Sequence, residues 1–185
     1  MVSWKGGLVL LALLSALGVY ALATRAAPPR PSPSLVPCDV VQAVYFRVQA
    51  PSRTVELRRD TITSPWRLTQ PSSSEADPDR VTTLVNALDV VKVQNTITGP
   101  AAAATYGLDP PREVVTCRVT SGSSYTLSIG NQSFDSSGYY ARKSGDGRVY
   151  VISSVEVDSF DSALKQPPVP PNPSPSPVPS PTPSA

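Results

Sequence analysis

Residues 101–111 read AAAATYGLDPP and lie in the middle of the only part of the chain that has the pattern of a folded domain. The alanines favour a helix, Gly107 can adopt the left-handed conformation that ends one, and two consecutive prolines prevent it from continuing. The stretch therefore predicts one helical turn that is forced to stop. It indicates a connector between a helix and a strand, with strand-like runs on both sides.

Before the connector, three runs alternate apolar and polar residues with a period of two: residues 40–48, 54–59 and 66–68. They predict a small antiparallel meander. An amphipathic helix should follow, because Asp77 can cap free amides and Pro78 suits the first helical position. The apolar residues after Pro78 recur at helical spacing and predict one buried face. They are Val81, Leu84, Val85, Leu88 and Val91.

After the connector, residues 115–119 and 125–129 each predict a strand, and residues 139–152 predict a hairpin around a Gly-Asp-Gly turn. Ser153 and Glu156 have capping-box spacing and begin a last helix. We therefore expect one α+β domain over residues 38–166. It should contain antiparallel strand meanders, an inserted amphipathic helix and a C-terminal helix.

Residues 6–23 are apolar and uncharged, which is about the length that spans a bilayer as a helix. One interpretation is a retained transmembrane anchor with residues 1–5 in the cytoplasm. The other is a signal peptide cleaved near Ala23, because residues 21–23 have the small-x-small pattern of a cleavage site. The run is long for a signal peptide, so we favour the anchor, with the folded domain extracytoplasmic.

The 22 prolines are concentrated on the two sides of the predicted domain. Residues 24–37 form a Pro-rich linker, and in residues 167–185 proline alternates with serine. Such segments cannot bury enough apolar surface to fold. They predict a stiff spacer before the domain and a disordered tail after it.

Composition weighs against several classes of function. The formal net charge is only +2 and the chain has no histidine. The low charge gives no indication of a nucleic-acid partner. The missing imidazole lowers the expectation of acid–base catalysis and of metal binding. We therefore predict no catalytic residue, no metal site and no cofactor, and we expect a protein that is not an enzyme.

The two cysteines are Cys38 and Cys117. In an exported domain an even cysteine count suggests a disulfide. Alternatively both thiols are free and Cys117 is simply a small buried residue on an apolar strand face. The sequence does not decide between these two states.

Exposed aromatic residues are the remaining candidates for binding. Tyr139, Tyr140, Arg142 and Tyr150 lie on the predicted hairpin and could form a ridge that binds a partner protein or an anionic glycan. Adjacent residues of a strand point to opposite faces, so Tyr139 and Tyr140 cannot both be exposed on one side. The alternative is ordinary cross-strand packing.

The order and spacing of several segments resemble the family catalogued as domain of unknown function 4340, over about residues 40–165. The segments begin at Trp66 (WRLTQP), Ala76 (ADPDRV), Tyr106 (YGLDPP), Thr126 (TLSIG), Gly138 (GYYAR) and Val149 (VYVI). The central one contains Tyr106, Gly107, Leu108, Asp109 and Pro110. The resemblance implies a bacterial envelope domain, sometimes associated with gliding or ABC-type export systems. The family has no established catalytic residues.

These observations together predict a single-pass membrane protein with a non-catalytic extracytoplasmic domain. We expect an accessory or adaptor subunit of an envelope system, with an ABC-type transporter among the partners that the resemblance suggests. The alternative is a secreted or anchored module that binds a glycan or another small ligand.

Overall fold

The structure, a computed structural model, describes residues 34–98 and 102–171. The predicted anchor or signal peptide at residues 6–23 and nearly all of the tail lie outside the described residues. Within the described ranges, no helix is both long enough and apolar enough to cross a membrane.

Nine strands, two helices and one 3-10 turn make up the described domain. The strands are β1 (Ala43–Ala50), β2 (Arg53–Arg58), β3 (Arg67–Gln70), β4 (Ser74–Glu75), β5 (Val93–Ile97), β6 (Glu113–Val119), β7 (Ser124–Gln132), β8 (Gly138–Lys143) and β9 (Val149–Ser153). Helix α1 spans Pro78–Asp89, helix α2 spans Ser154–Lys165, and the 3-10 turn spans Ala103–Tyr106.

All nine strands form one antiparallel sheet in the order β4-β3-β2-β1-β6-β7-β8-β9-β5. One meander runs from β1 to β4 and the other from β6 to β9, and they join where β1 pairs with β6. β5 follows α1 and pairs with β9 at the far edge. The α+β class and the antiparallel meanders are confirmed, and the sheet unites the two groups of strands.

Helix α1 begins as the sequence predicts. The Asp77 carboxylate accepts hydrogen bonds from the amides of Asp79 and Arg80, at 3.0 and 3.1 Å, and Pro78 occupies the first helical turn. A cap of this kind satisfies amides that the helix leaves without a partner. The predicted apolar face is buried, including Val91 just after the helix.

Helix α2 has only half of the predicted capping box. The Ser153 hydroxyl accepts from the amide of Val155 at 3.2 Å. The amide of Ser153 itself donates to the carbonyl of Lys92, so the Glu156 carboxylate does not reach back to it. Glu156 is instead buried, and its Oε2 has no hydrogen-bond partner among the described residues.

Both helices pack on one face of the sheet and against each other. Cross-strand partners such as Phe46, Leu57 and Cys117 point to this face and are fully buried. Phe160 of α2 contacts Phe46 with 6.5 Å between ring centres. Burying apolar side chains of this size stabilises a fold by about 1.5–3 kcal/mol each.

The register of β1 corrects one detail of the predicted face. A strict period of two over residues 40–48 would place Val44 on the same side as Phe46 and Val48, but an irregularity between Ala43 and Tyr45 shifts the alternation. The buried residues at the start of the strand are therefore Ala43 and then Phe46 and Val48, while Val44 is only half-buried.

The structure joins Cys38 to Cys117, with 1.99 Å between the two sulfurs and 6.2 Å between the Cα atoms. Both residues are fully buried. Of the two states that the sequence left open, this geometry supports the bridged one. The bridge ties the chain before β1 to the middle of β6, 79 residues away.

The folded domain extends a few residues beyond the expected range at each end. Val36, within the expected linker, is fully buried. Pro168, within the expected tail, is buried and its carbonyl accepts a hydrogen bond from the amide of Asp77 at 2.9 Å.

Candidate functional site

The sheet has a second face that neither described helix covers along β2, β1, β6 and β7. Side chains alternate between the faces of a strand, so the neighbours of the buried core residues point to this side. We call this surface the open face. It is defined by Tyr45, Arg47, Glu56, Arg58, Arg67, Thr116, Arg118 and Arg142, which are half-buried or exposed.

Two arginines enclose a tyrosine at the centre of the open face. Arg58 and Arg118 are the cross-strand partners of Tyr45 on its two sides. Their guanidinium carbons lie 5.4 and 5.0 Å from the centre of the Tyr45 ring, within cation–π range. We call these three residues, with Glu56, the Tyr45 cluster.

Glu56 fixes the orientation of this cluster. Its Oε2 accepts a hydrogen bond from the Tyr45 hydroxyl at 3.1 Å, and its Oε1 accepts one from Thr69 at 3.0 Å. Oε1 also lies 3.7 Å from Nε of Arg58. Burial, followed by the charge of Glu56, raises the pKa of the Tyr45 hydroxyl above its usual value. The Tyr45 hydroxyl is therefore neutral and donates a hydrogen bond to the Glu56 carboxylate.

The open face is basic. Arg67 lies opposite Arg58, so Arg67, Arg58, Tyr45 and Arg118 form one row across four strands. Arg47 and Arg142 extend the positive charge, and the strand pairing places only two carboxylates near it, Glu56 and Glu75. A guanidinium is always charged, and its planar donors match a carboxylate or a phosphate. Such a surface is suited to an anionic partner.

A shallow depression of about 340 Å³ lies at the end of the open face. It is lined by Thr126, Ser128, Arg142, Lys143, Ser144, Gly145 and Asp146. Asp146 is already engaged, because Arg148 and Tyr150 donate hydrogen bonds to its carboxylate and hold its pKa well below the usual range. Arg142 and Lys143 are thus the cations there that are available to a ligand.

The structure divides the predicted ridge between the two faces. Tyr139 and Tyr150 lie on the helix-bearing side, where Tyr150 is buried and Tyr139 packs against the core beneath Arg112. Tyr140 and Arg142 lie on the other side and are half-buried. The geometry thus brings together only Tyr140 and Arg142, and binding by the ridge stays a prediction.

The connector at residues 102–111 packs against β7 and β8. The Tyr106 ring lies 4.7 Å from the Tyr140 ring, centre to centre. Gly107 ends the 3-10 turn with φ of 65°, the left-handed conformation that the sequence predicted. A Cβ atom on Gly130 would lie 2.1 Å from the carbonyl oxygen of Tyr106, so this contact requires glycine.

The remaining residues of the segments that resemble the family lie in the folded part of the domain. Leu108 is buried, and the Asp109–Pro110 peptide is cis. Trp66 is 6% exposed and lies under the guanidinium of Arg59, 4.7 Å from the ring centre. These contacts give the motif a role in packing.

One buried acid stands out on the helix-bearing side. Glu113 is 1% exposed, and neither of its carboxylate oxygens has a hydrogen-bond partner among the described residues. Burial, and then the charge of Asp161, raises the pKa of Glu113 to about 8, although Arg112 opposes the shift. Arg112 forms an ion pair with Asp161 and stacks 4.9 Å from the Tyr139 ring. At neutral pH the Glu113 carboxyl is protonated.

A groove of about 420 Å³ runs along the solvent side of the two helices. Its lining mixes small, polar and apolar residues, including Thr83, Leu84, Ser162 and Pro168. No group of three or more metal-binding side chains occurs in the part of the chain that the structure describes.

Sequence reasoning missed the Tyr45 cluster. The alternation in β2 correctly separates Val55 and Leu57 from Glu56 and Arg58. The missing information was the pairing of β1 with β6, which brings Arg118 next to Tyr45 from 73 positions away in the chain. The signal available in the sequence was the number of arginines at the polar positions of the strands, which indicates a basic sheet face.

Comparison with known families agrees with the resemblance noted in the sequence. A family model described as Domain of unknown function (DUF4340) matches residues 66–166, more than half of the chain. The matched range begins at Trp66 and ends just after α2, so it contains Arg67, Arg118 and Arg142 but neither Tyr45 nor Arg58. Comparison with curated proteins and with solved structures finds no match. The chain is a member of the DUF4340 family.

Proposed function

We propose that this protein is a non-catalytic adaptor of the bacterial cell envelope. Residues 6–23 anchor it in the membrane, and the extracytoplasmic domain binds another envelope protein through the open face. The partner presents an acidic surface. An ABC-type transporter is one candidate, in keeping with the family resemblance.

The Tyr45 cluster is the observation that carries this proposal. Arg58 and Arg118 hold their charged groups over one aromatic ring, on a sheet face that no described helix covers. Arginine and tyrosine are the residues that most often dominate the energy of protein interfaces. Because the Tyr45 ring contacts both arginines and Glu56 also contacts Arg58, less conformational entropy is lost on binding than with unsupported side chains.

The chemistry of the open face supports binding over catalysis. Its charged groups are mainly arginines, which bind anions but do not exchange protons near neutral pH. Glu113, whose pKa is raised to about 8, is buried on the other side of the sheet and is closed to solvent.

The disulfide supports an extracytoplasmic location. Disulfides persist in oxidising compartments and are rare in the cytosol. The bridge between Cys38 and Cys117 is therefore in keeping with a domain that has been exported. The apolar run at residues 6–23 supplies a segment of the length needed for the anchor.

The depression beside the open face favours one alternative, a binding module for an anionic glycan or small ligand. Arg142 and Lys143 lie at its rim with the hydroxyls of Thr126 and Ser128. Cations and hydroxyls together suit a sulfated, phosphorylated or carboxylated sugar.

The test is crosslinking in intact cells, followed by solubilisation and pull-down of the full chain. Wild type is compared with the double variant Arg58→Gln, Arg118→Gln. Arg53→Gln is the matched control, because Arg53 is an exposed arginine of the same strand β2 but lies outside the open face. We expect wild type and the control to recover a membrane protein that the double variant loses.

Equal recovery by all three baits would contradict binding through the open face. Recovery of no protein by any bait, together with retention of wild type on an anionic glycan, would favour the alternative.

A further inference from the structure

The most exposed large apolar side chain among the described residues is Phe134, at 95%. It lies at the tip of the loop between β7 and β8. Moving a side chain of this kind from water into an apolar environment is favourable by about 1.5–3 kcal/mol.

Hydrogen bonds hold this loop in one conformation. The Asp135 carboxylate accepts from the Ser133 hydroxyl at 2.6 Å and from the amide of Ser137 at 3.1 Å. Ser133 and Gly138 exchange bonds at the base of the loop. A Cβ on Gly138 would lie 2.0 Å from the carbonyl oxygen of Ile152, so the backbone there is closely packed. Phe134 is therefore presented on a stiff support.

Other exposed apolar residues lie at the same end of the sheet. Gly138 pairs with Ser153, and Val93 pairs with Ile152, so β8 begins, β9 ends and β5 begins at this end. Val93 is 42% exposed and Val155, in the first turn of α2, is 69% exposed. We call this region, with Phe134, the Phe134 end.

The described chain also begins near the Phe134 end. The Ser34 hydroxyl donates to the carbonyl of Asp89, and the amide of Cys38 donates to the Asp89 carboxylate at 3.0 Å. Asp89 is followed by Val90, 58% exposed, and then by Lys92, whose carbonyl accepts from Ser153. The first described residue, Ser34, therefore lies close to these apolar residues.

The length of that segment limits the distance to the membrane. Residues 24–33 separate the apolar run from Ser34 and can reach no further than about 35 Å. A tether of this length gives an effective concentration on the order of mM or above at the bilayer, so a weak contact is occupied much of the time.

We propose that the Phe134 end of the domain lies on the lipid bilayer, with the Phe134 side chain inserted into the interfacial region. This inference rests on the proposed membrane anchoring, and it goes beyond it by giving the domain a fixed face toward the lipid. An aromatic side chain at the headgroup boundary buries its apolar surface there. The open face is then free to contact a neighbouring protein.

The test uses the full chain reconstituted in vesicles that contain phosphatidylcholine with brominated acyl chains, which quench tryptophan on contact. The variant is Phe134→Trp. The matched control is Ile62→Trp, because Ile62 is 44% exposed and follows the end of β2 at the opposite end of the sheet. The emission of Trp4 and Trp66 is subtracted by using wild type.

We expect the tryptophan at position 134 to be quenched at least about twofold more strongly than the one at position 62. Equal, weak quenching in protein that resists alkaline extraction would overturn this inference and leave the anchor standing. Iodide dissolved in the water quenches exposed tryptophan. If the tryptophan at position 134 were protected from iodide and yet not quenched by the brominated lipid, a second copy of the chain would cover it, which would also overturn the inference. Protein released by alkaline extraction would overturn the anchoring itself and, with it, the inference.

Discussion

Arg118 holds its guanidinium carbon 5.0 Å from the centre of the Tyr45 ring, across the junction at which the two meanders become one sheet. Arg58 lies at 5.4 Å from the same ring on the neighbouring strand. Three side chains from three strands thus form one basic site. Its existence depends on the pairing of β1 with β6.

Neutralising this site should weaken binding to anions. We expect Arg58→Gln and Arg118→Gln each to cost about 1 kcal/mol, or about fivefold in affinity, because exposed ion pairs are individually weak. The measurement is the salt concentration that elutes the protein from an immobilised sulfated polysaccharide. Arg53→Gln loses the same charge and should elute closer to wild type than either open-face variant.

Removing the disulfide should destabilise the domain. The chain-entropy model gives about 4.5 kcal/mol for a loop closed by residues 79 positions apart. We expect the double variant Cys38→Ala, Cys117→Ala to lower the free energy of urea unfolding by up to this amount. The measurement uses detergent-solubilised protein. Mass spectrometry without reductant gives an independent check, and two free thiols in exported protein would show that the bridge does not form.

Glu113 should make stability depend on pH. Its pKa is about 8 in the folded state, against an ordinary value of 4.5. Between these values the folded protein keeps a proton that the unfolded chain has released. The free energy of unfolding therefore falls as pH rises through this window, by at most about 1.4 kcal/mol per pH unit.

Glu113→Gln removes this titration, so we expect a flatter dependence on pH between 5 and 8 and higher stability at pH 8. Urea unfolding at several pH values measures both effects. Glu75→Gln, at an exposed carboxyl of β4, is the matched control for the loss of one carboxyl group. An unchanged slope in Glu113→Gln would mean that Glu113 is ionised when folded.

Gly130 should tolerate no larger residue. The Cβ of Gly130→Ala would overlap the carbonyl oxygen of Tyr106, and moving the connector away costs about 1–3 kcal/mol. Gly147→Ala is the matched control, because no atom lies within 4 Å of the Cβ it would add. We expect a lower thermal midpoint for Gly130→Ala alone. Equal midpoints would show that the connector is not held against β7.

Local elements were predictable from the sequence because their causes are local. Asp77 caps α1, Gly107 ends the 3-10 turn, and the alternation in β2 separates its two faces. The capping box at Ser153 was only half right, because the Ser153 amide, which Glu156 was expected to bind, instead donates a long-range hydrogen bond to the carbonyl of Lys92.

The candidate site was not predictable in the same way. Tyr45 and Arg118 are neighbours only through strand pairing, and single-sequence periodicity carries no information about which strands pair. The division of Tyr139 from Tyr140 follows from alternation within one strand and was expected. The sequence did not show that the buried Tyr150 donates a hydrogen bond from its hydroxyl to the Asp146 carboxylate at 2.5 Å, a contact set by the turn between β8 and β9.

The pull-down from intact cells with the full chain tests the central claim most directly. The claim is that the Tyr45 cluster binds an envelope protein. It predicts that wild type and Arg53→Gln recover the same membrane protein and that Arg58→Gln, Arg118→Gln loses it while remaining folded and membrane-bound. Recovery of that partner by the double variant at the level of wild type would contradict the claim.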